Sequence, residues 1–598
     1  MTGTRPAAVP AWLRTAALLF AQFVGFAVLL FCTRFVGRAH LVQQMDQECH
    51  IGGIALDVLA HGVRFPLLAY SPNEYDNGSF FSGLLAAISF TLLGQSVLAL
   101  KLVTHAIVAA GAVAALALLR RCLDELSWYD RYVRGSAVAA FVVSLAFAPR
   151  VVTLFSTYAV GNHAEGSAID TLLLALFATR WHTRSAARTA AFWLLVGLAL
   201  YLNKGTVLVV PVLAAAELWL AWRAPARLGA ALAGFVLGVS PELLVVLQQH
   251  RAGRDVMGWA TVASKGERNS QAFPRAFVDT LLFLGEYRPA LLGVWGVAVA
   301  AGFATLCRSL RRSAGARPPV ALTLVVGVTL LHLFALTFMA KTGLDAYVIY
   351  GYPTLSVLFA LLVAHACNAV ATRWGSGAAA WSGIAAALIA LLLYRPDAFA
   401  WNPAKAVALW NNRVGAVCSW RFGEGFEREF DYGFAALGDT REQHAIARCR
   451  SLTTADQRLD CIGGIARELN WRQKGSVAGE PPAELDAAER RAYAYVYGTH
   501  RKGNSAACND FADPQLAADC LAAMQMECLV FGDFYTRIAT GEGLAPPRCA
   551  VPEPPMRGYW SAMRAELLSR SDGRAPDLTR AWGDDNLQPC QPVFDACY

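Results

Sequence analysis

At 598 residues the chain could hold three or four soluble domains, but 56 % of it is hydrophobic and only 16 % charged, against about 25 % charged in an average soluble chain. Those proportions exclude a disordered chain, a coiled coil or a single compact soluble enzyme as readings of the whole. The net charge of +8 is uneven: residues 1–396 carry 30 Lys+Arg and 17 Asp+Glu (+13), residues 397–598 carry 22 and 27 (−5), so the basic front with its long apolar runs points to membrane-flanking Lys/Arg rather than a nucleic-acid surface.

A membrane span needs about 20 apolar residues. The sequence predicts an all-α, polytopic helical membrane protein with about eleven spans, at 12–33, 96–119, 135–157, 166–182, 189–202, 205–222, 228–247, 289–307, 319–340, 346–371 and 377–395. The short fifth span and the sixth read as one tight hairpin turning at Asn203-Lys204-Gly205, and Phe80–Leu93 as an interfacial or partly inserted helix. The first run lacks a small-x-small cleavage site, which argues against a cleaved leader. An odd span count puts the two ends on opposite sides. Arg120, Arg121, Arg131, Arg134, Arg308, Arg311, Arg312 and others collect on one side, which orients the N-terminus toward the cytoplasm, although the opposite loop 248–288 carries six basic residues of its own.

This division gives a transmembrane domain, residues 1–395 with a first outer loop at 34–95, and an extracytoplasmic tail, residues 396–598. Nine of the 14 cysteines lie in the tail without any CxxC pair, a pattern that favours disulfides in an oxidising compartment over zinc. Nine is odd, so one thiol is free or pairs elsewhere, with Cys49 of the first outer loop as a partner. The spacing Cys449-x11-Cys461 recurs as Cys508-x11-Cys520, each second cysteine preceded by Asp460 or Asp519. The expected arrangement is two stapled helical hairpins, with Cys449 joined to Cys461 and Cys508 to Cys520 or Cys528, in a module that presents a binding surface.

The chain has no GxxxxGK[ST], HExxH or GxSxG motif and no dinucleotide fingerprint. Its chemistry concentrates in the first outer loop. Asp46 and Glu48 follow the first span, a helix-like stretch Ile51–His61 ends at Gly62, and a polar piece holds Tyr70, Glu74, Tyr75, Asp76 and Asn77. Asn77-Gly78-Ser79 is formally a glycosylation sequon but reads as an Asn-Gly turn.

The run of Asp46/Glu48, Leu59-Ala60-His61-Gly62 and Phe90-Thr91-Leu92-Leu93-Gly94-Gln95-Ser96, with the later Gly197-Leu-Ala-Leu-Tyr-Leu-Asn-Lys204-Gly205 and Tyr347-Val-Ile-Tyr350-Gly-Tyr-Pro353, resembles the GT-C superfamily of polyprenyl-phosphate-sugar-dependent glycosyltransferases, such as protein mannosyltransferases and aminoarabinose-transferase-like proteins. The resemblance covers about residues 10–395. It departs from the family at Gln47, which separates an otherwise adjacent acidic pair, and in lacking a basic-Pro-Pro segment, near whose place stands Ser71-Pro72-Asn73-Glu74. It implies an enzyme of the inner membrane that moves a sugar from a polyprenyl-phosphate donor to a hydroxyl of a glycan, lipid or protein at the outer face.

Such transfer needs a carboxylate to take the hydroxyl proton or hold a divalent cation, and basic groups to bind the departing phosphate. Asp46 and Glu48 are the candidate catalytic carboxylates. As residues i and i+2 of a helix they do not share a face, so one serves alone. Arg64, Lys204, Lys265 and Lys341 are the candidate phosphate ligands, and Tyr75, Asp76, His163 and Glu165 are further candidate substrate ligands. Asp170, Glu217 and Glu242 lie in or near spans, where a carboxylate is functional or paired, without an evident basic partner in sequence. The rival reading is a non-catalytic membrane scaffold or transporter whose outer helical tail binds a partner.

Overall fold

The computed structural model describes residues 10–39, 42, 46–64, 70, 78–159, 161, 163–180, 185–251, 288–312, 319–339, 349–394 and 401–414, short pieces between 446 and 466, and residues 480–499, 508–509, 511–540, 544–556, 559–573 and 590–598. Among the described residues every regular element is a helix. They are α1 (Ala11–Leu30), α2 (Asp46–His61), α3 (Gly78–Leu93), α4 (Val97–Glu125), α5 (Arg131–Ala146), α6 (Arg150–Phe155), α7 (Ala164–Arg180), α8 (Ala186–Leu202), α9 (Val210–Ala221), α10 (Pro225–Arg251), α11 (Pro289–Arg312), α12 (Val320–Met339), α13 (Tyr352–Trp374), α14 (Ser376–Tyr394) and α15 (Pro403–Asn411), then α16 (Ala487–Thr499), α17 (Pro514–Thr540), α18 (Tyr559–Leu568) and α19 (Gln591–Cys597).

Helix boundaries follow local chemistry. Ser96 caps α4 by accepting from the Ala99 amide (3.1 Å), and Asp130 caps α5 by accepting from Tyr132 and Val133. Gly62 and Gly94 take left-handed φ values of +73° and +83° and end α2 and α3. Beyond Leu30, α1 continues as a π-helical turn, Phe31–Val36.

Six helices are long and apolar enough to cross a membrane by length and composition: Trp12–Val36, Val97–Glu125, Pro225–Leu244, Pro289–Arg311, Tyr352–Trp374 and Ser376–Tyr394. Large apolar side chains stand exposed along them, including Phe20, Leu237, Trp381 and Leu392, as expected of surfaces that meet lipid. The chain is a multi-pass helical membrane protein. The expected spans 166–182 and 189–202 fall on α7 and α8, helices of 17 residues that rise only about 25 Å, less than a hydrocarbon core of about 30 Å. The expected interfacial helix is α3, of 16 residues. The run 135–157 is two helices, because Pro149 cannot continue α5 and instead starts α6. The expected hairpin at Asn203 is also different. A 3₁₀ turn, Lys204–Leu208, separates α8 from α9, and α8 packs along α10 instead.

Small residues make that packing possible. A Cβ at Gly234 would stand 2.2 Å from the Ala190 carbonyl oxygen, and one at Gly238 2.2 Å from that of Leu194. Gly234 and Gly238 form the small-xxx-small pattern that lets membrane helices approach backbone to backbone. Gly238→Leu is expected to lower the thermal midpoint of the detergent-purified protein, by an amount equivalent to about 1–3 kcal/mol of overpacking. An unchanged midpoint would show that α8 and α10 are not held this closely.

The chain does not leave the front bundle at residue 395. The Asn402 amide donates to the Val36 carbonyl (2.9 Å), Val97 to Asn412 (2.9 Å) and Val414 to Gln95 (3.0 Å). Val414 is buried beside Gly52 of α2, so 401–414 clamps α2 onto α4.

In the tail, α16 packs on α17, and the disulfide Cys508–Cys520 joins the segment between them to α17. Cys528 pairs with Cys590 rather than with Cys508, and Cys549 with Cys597. Cys49 and Cys449 are also disulfide-bonded. Cys461, the expected partner of Cys449, lies outside the described residues. Asp519 accepts from Arg491 through both oxygens (2.7 and 3.0 Å). Asp486 and Glu489 form a reciprocal capping box at the start of α16, Glu489 N to Asp486 Oδ1 2.9 Å and Asp486 N to Glu489 Oε2 3.0 Å. The Arg450 guanidinium, 2.7 Å from Glu489 Oε2, holds that carboxyl below the usual range. A depressed carboxylate contributes stability above its unfolded pKa and loses it as the pH falls through the folded value. The tail is therefore expected to lose stability on acidification below the ordinary glutamate range, and Glu489→Gln to flatten that part of the profile. An identical acid profile in the variant would remove this pair from the account.

Candidate functional site

One end of the front bundle gathers buried polar groups. There the start of α3, the turn before α7, the end of α8 and the start of α13 converge. A Cβ at Gly78 would stand 2.1 Å from the Leu202 carbonyl oxygen and 2.5 Å from that of Gly161. A Cβ at Gly205 would meet the Tyr350 ring at 2.8 Å. Polar side chains fill this junction, which apolar residues would be expected to fill in a bundle that served only as an anchor.

Asp46 opens α2, and its side chain lies outside the described residues. Glu48 points into the protein and is 1 % exposed. Its two oxygens lie 2.6 and 2.8 Å from Lys101 Nζ, and the Ala159 amide donates to Oε1 (2.9 Å). Lys101 also donates to the Thr157 carbonyl (3.1 Å) and sits 5.1 Å from the centre of the Tyr158 ring. The pair therefore ties the first turns of α2 to α4 and to the segment leading into α7. A buried ion pair is kept only with good geometry and further hydrogen bonds, and both are present here.

The rest of α2 is fixed by Asp57. Fully buried, it accepts from the Tyr70 hydroxyl (2.8 Å), from Arg64 Nε (3.2 Å) and Nη2, and faces His61 Nδ1 (3.2 Å). Burial, foremost, pushes the Tyr70 hydroxyl up, so it remains a donor. His50 Nε2 lies 2.8 Å from the Tyr70 carbonyl oxygen. Arg64, a candidate phosphate ligand from the sequence, is thus engaged with Asp57 and is one quarter exposed.

Beside Glu48, Glu165 of α7 accepts from the Thr104 hydroxyl and from the Gly161 amide (3.3 Å) through Oε1, while its Oε2 is buried without a hydrogen-bond partner. The His163 ring packs against Phe155, centroids 5.7 Å apart, and burial pushes its imidazole down to about 3, so it is neutral at physiological pH. Asn203 Oδ1 accepts from Tyr350 (2.9 Å) and Gly205 (3.0 Å), Ser167 donates to the Ile349 carbonyl (3.1 Å), and Thr206 donates to Asp170 (2.7 Å). Lys204 lies 3.4 Å from Glu242, and Arg227 Nε donates to Glu217 (2.6 Å). Glu217 and Glu242 therefore have the basic partners that were not evident in sequence.

The structure thus brings Glu48, Glu165, His163, Asn203 and the Lys204 turn to one end of the bundle. Tyr75, Asp76, Lys265 and Lys341 lie outside the described residues. Among the described residues no group of three or more His, Cys, Asp or Glu is placed to hold a metal ion. Lys101 and Asp57 were not singled out from the sequence. The available signal for Lys101 was an ionisable residue inside a predicted apolar span.

Among solved structures the chain is similar to the apo crystal structure of the Archaeoglobus fulgidus oligosaccharyltransferase. Identity is 14 %, the match covers 75 % of this chain and 60 % of that one, and the TM-score is 0.38. The chain thus spans less than two thirds of that protein's length. No family model matches the chain, and no curated protein matches it.

Proposed function

We propose that the protein is a membrane glycosyltransferase that moves a sugar from a polyprenyl-phosphate donor to an acceptor hydroxyl at the outer face of the membrane. The observation that carries this reading is the buried ion pair Glu48–Lys101, which fixes the first turn of α2 beside the polar end of a helical membrane bundle. Asp46, two residues before Glu48 at the start of that helix, is the proposed base that takes the acceptor proton. Glu48, already neutralised by Lys101, is the residue that sets where Asp46 stands. Glu165 and Asn203 supply polar contacts to the sugar, and the apolar helix faces hold the lipid tail. The N-terminus is cytoplasmic and the disulfide-bearing tail extracytoplasmic, where its helices meet the acceptor.

The test is direct. Purified full-length protein is incubated with a radiolabelled polyprenyl-phosphate sugar and a membrane extract as acceptor, and in parallel with the matching nucleotide sugar. Label leaving the lipid-linked donor, and not the nucleotide sugar, is the expected result. Transfer from neither donor would favour the reading in which the tail makes the protein a scaffold.

A further inference from the structure

Three arginines are buried together at the far end of α1. Arg34 lies in the π-helical turn and is 2 % exposed, Arg38 lies four residues on at 1 %, and Arg150 starts α6 at 7 %. Arg34 Nη2 donates to the Leu145 carbonyl (3.2 Å), while Arg38 Nη1 donates to the Ala148 carbonyl (2.6 Å) and to Thr153 Oγ1 (2.9 Å). The first two therefore grip the connection that leads into Arg150. Two of the three Arg34 guanidinium nitrogens, Nε and Nη1, are buried without a hydrogen-bond partner, and among the described residues no carboxylate pairs with Arg34.

A cavity of ≈ 50 Å³ lies against Arg34. Apart from the guanidinium its lining is chiefly apolar, including Leu30, Ala112 and Ala168, with Ser156 and with Ser167, which donates to the Ile349 carbonyl in the polar junction. Single π-turns often mark functional positions because they re-aim a side chain that a regular helix would place elsewhere. A buried guanidinium with unused donors is costly unless an anion meets it, and the planar fork of an arginine suits the oxygens of a phosphoryl group.

We propose that Arg34 and this cavity form a binding site for a phosphoryl group, carried either by a membrane lipid or as free phosphate. The cavity reaches the polar junction at Ser167 but does not include the proposed base, and the site stands whether or not the protein transfers sugars. The charge at Arg34 attracts the phosphoryl oxygens, and the apolar lining accepts the first atoms of an attached chain.

Thermal unfolding of the full-length protein in detergent tests this with dioleoyl phosphatidic acid, inorganic phosphate and dioleoylglycerol as probes. The expected result is a rise in midpoint with phosphatidic acid, none with dioleoylglycerol, and an affinity at least about tenfold weaker in Arg34→Met. A rise with inorganic phosphate alone, equal to that with the lipid, would make free phosphate the ligand. Because the substitution removes a buried, under-bonded charge, the ligand-free Arg34→Met protein is expected to unfold no earlier than the unmodified one. Arg34→Lys, which keeps the charge and loses the planar fork, should retain part of the response. It also serves should Arg34→Met not fold. No shift with either phosphate probe, a shift of equal size in Arg34→Met, or a shift with dioleoylglycerol as large as with phosphatidic acid would overturn the proposal.

Discussion

Asp46→Asn is expected to slow sugar transfer by about 10²–10⁴-fold while leaving thermal unfolding unchanged, because it keeps the size and hydrogen bonding of the side chain and removes only the proton-accepting charge. Glu48→Gln should behave differently. Glu48 is the counter-ion of a fully buried Lys101, so its loss leaves a charge in the interior and lowers the midpoint of unfolding. Its activity should fall chiefly through the displaced start of α2. The two substitutions, two residues apart, therefore separate a base from a positioning group. Comparable activity loss from both, with no change in unfolding from either, would assign the chemistry to Glu48 and refute the division of roles. Full activity in Asp46→Asn would move the search to Glu165, whose Oε2 is buried without a partner in the same end of the bundle.

The second large effect concerns stability. Lys101→Met alone is expected to destabilise the protein by about 3–5 kcal/mol, since it strands the buried Glu48 carboxylate beside Ala159 without its ammonium partner. Combining it with Glu48→Leu should restore much of that loss, because a pair of apolar side chains removes both desolvation penalties together. Midpoints of urea or thermal unfolding for the four proteins of the cycle give the coupling. Additive losses would show that the two groups do not depend on each other, and the anchoring of α2 would need another cause.

How far the sequence carries this structure depends on the range of each interaction. Boundaries set by neighbours were legible: Gly62 ends α2 at the residue expected, and the expected segment Ile51–His61 falls short only because the helix begins earlier, at Asp46. Apolar runs revealed a polytopic helical protein, but counting them merged α5 with α6 across Pro149, since hydropathy averages over a break that the proline ring and its missing N–H enforce. Long-range pairings were not legible. Lys101 meets Glu48 across 53 residues and Cys528 meets Cys590 across 62, whereas Cys508 and Cys520, separated by 12, were readable from spacing. Glu217 and Arg227 are ten residues apart in sequence, yet they pair only because the turn at 222–224 folds α10 back beside α9. For the candidate site, the sequence drew attention to the segment that holds Glu48, and the polar junction of Asn203, Tyr350 and Ser167 emerged only when four helix ends were brought together.

An outer-face transferase requires the polar end of the bundle to face away from the cytoplasm. Val63 is exposed in the turn that follows α2, outside the Asp57 network, so a cysteine placed there reports its side without disturbing the site. Intact cells producing Val63→Cys are treated with a membrane-impermeant maleimide, with the unmodified protein as background. The expected result is labelling of position 63 in intact cells at the rate seen after permeabilisation. Labelling only after the membrane is opened would place Asp46, Glu48 and the whole junction in the cytoplasm and contradict an outer-face transferase.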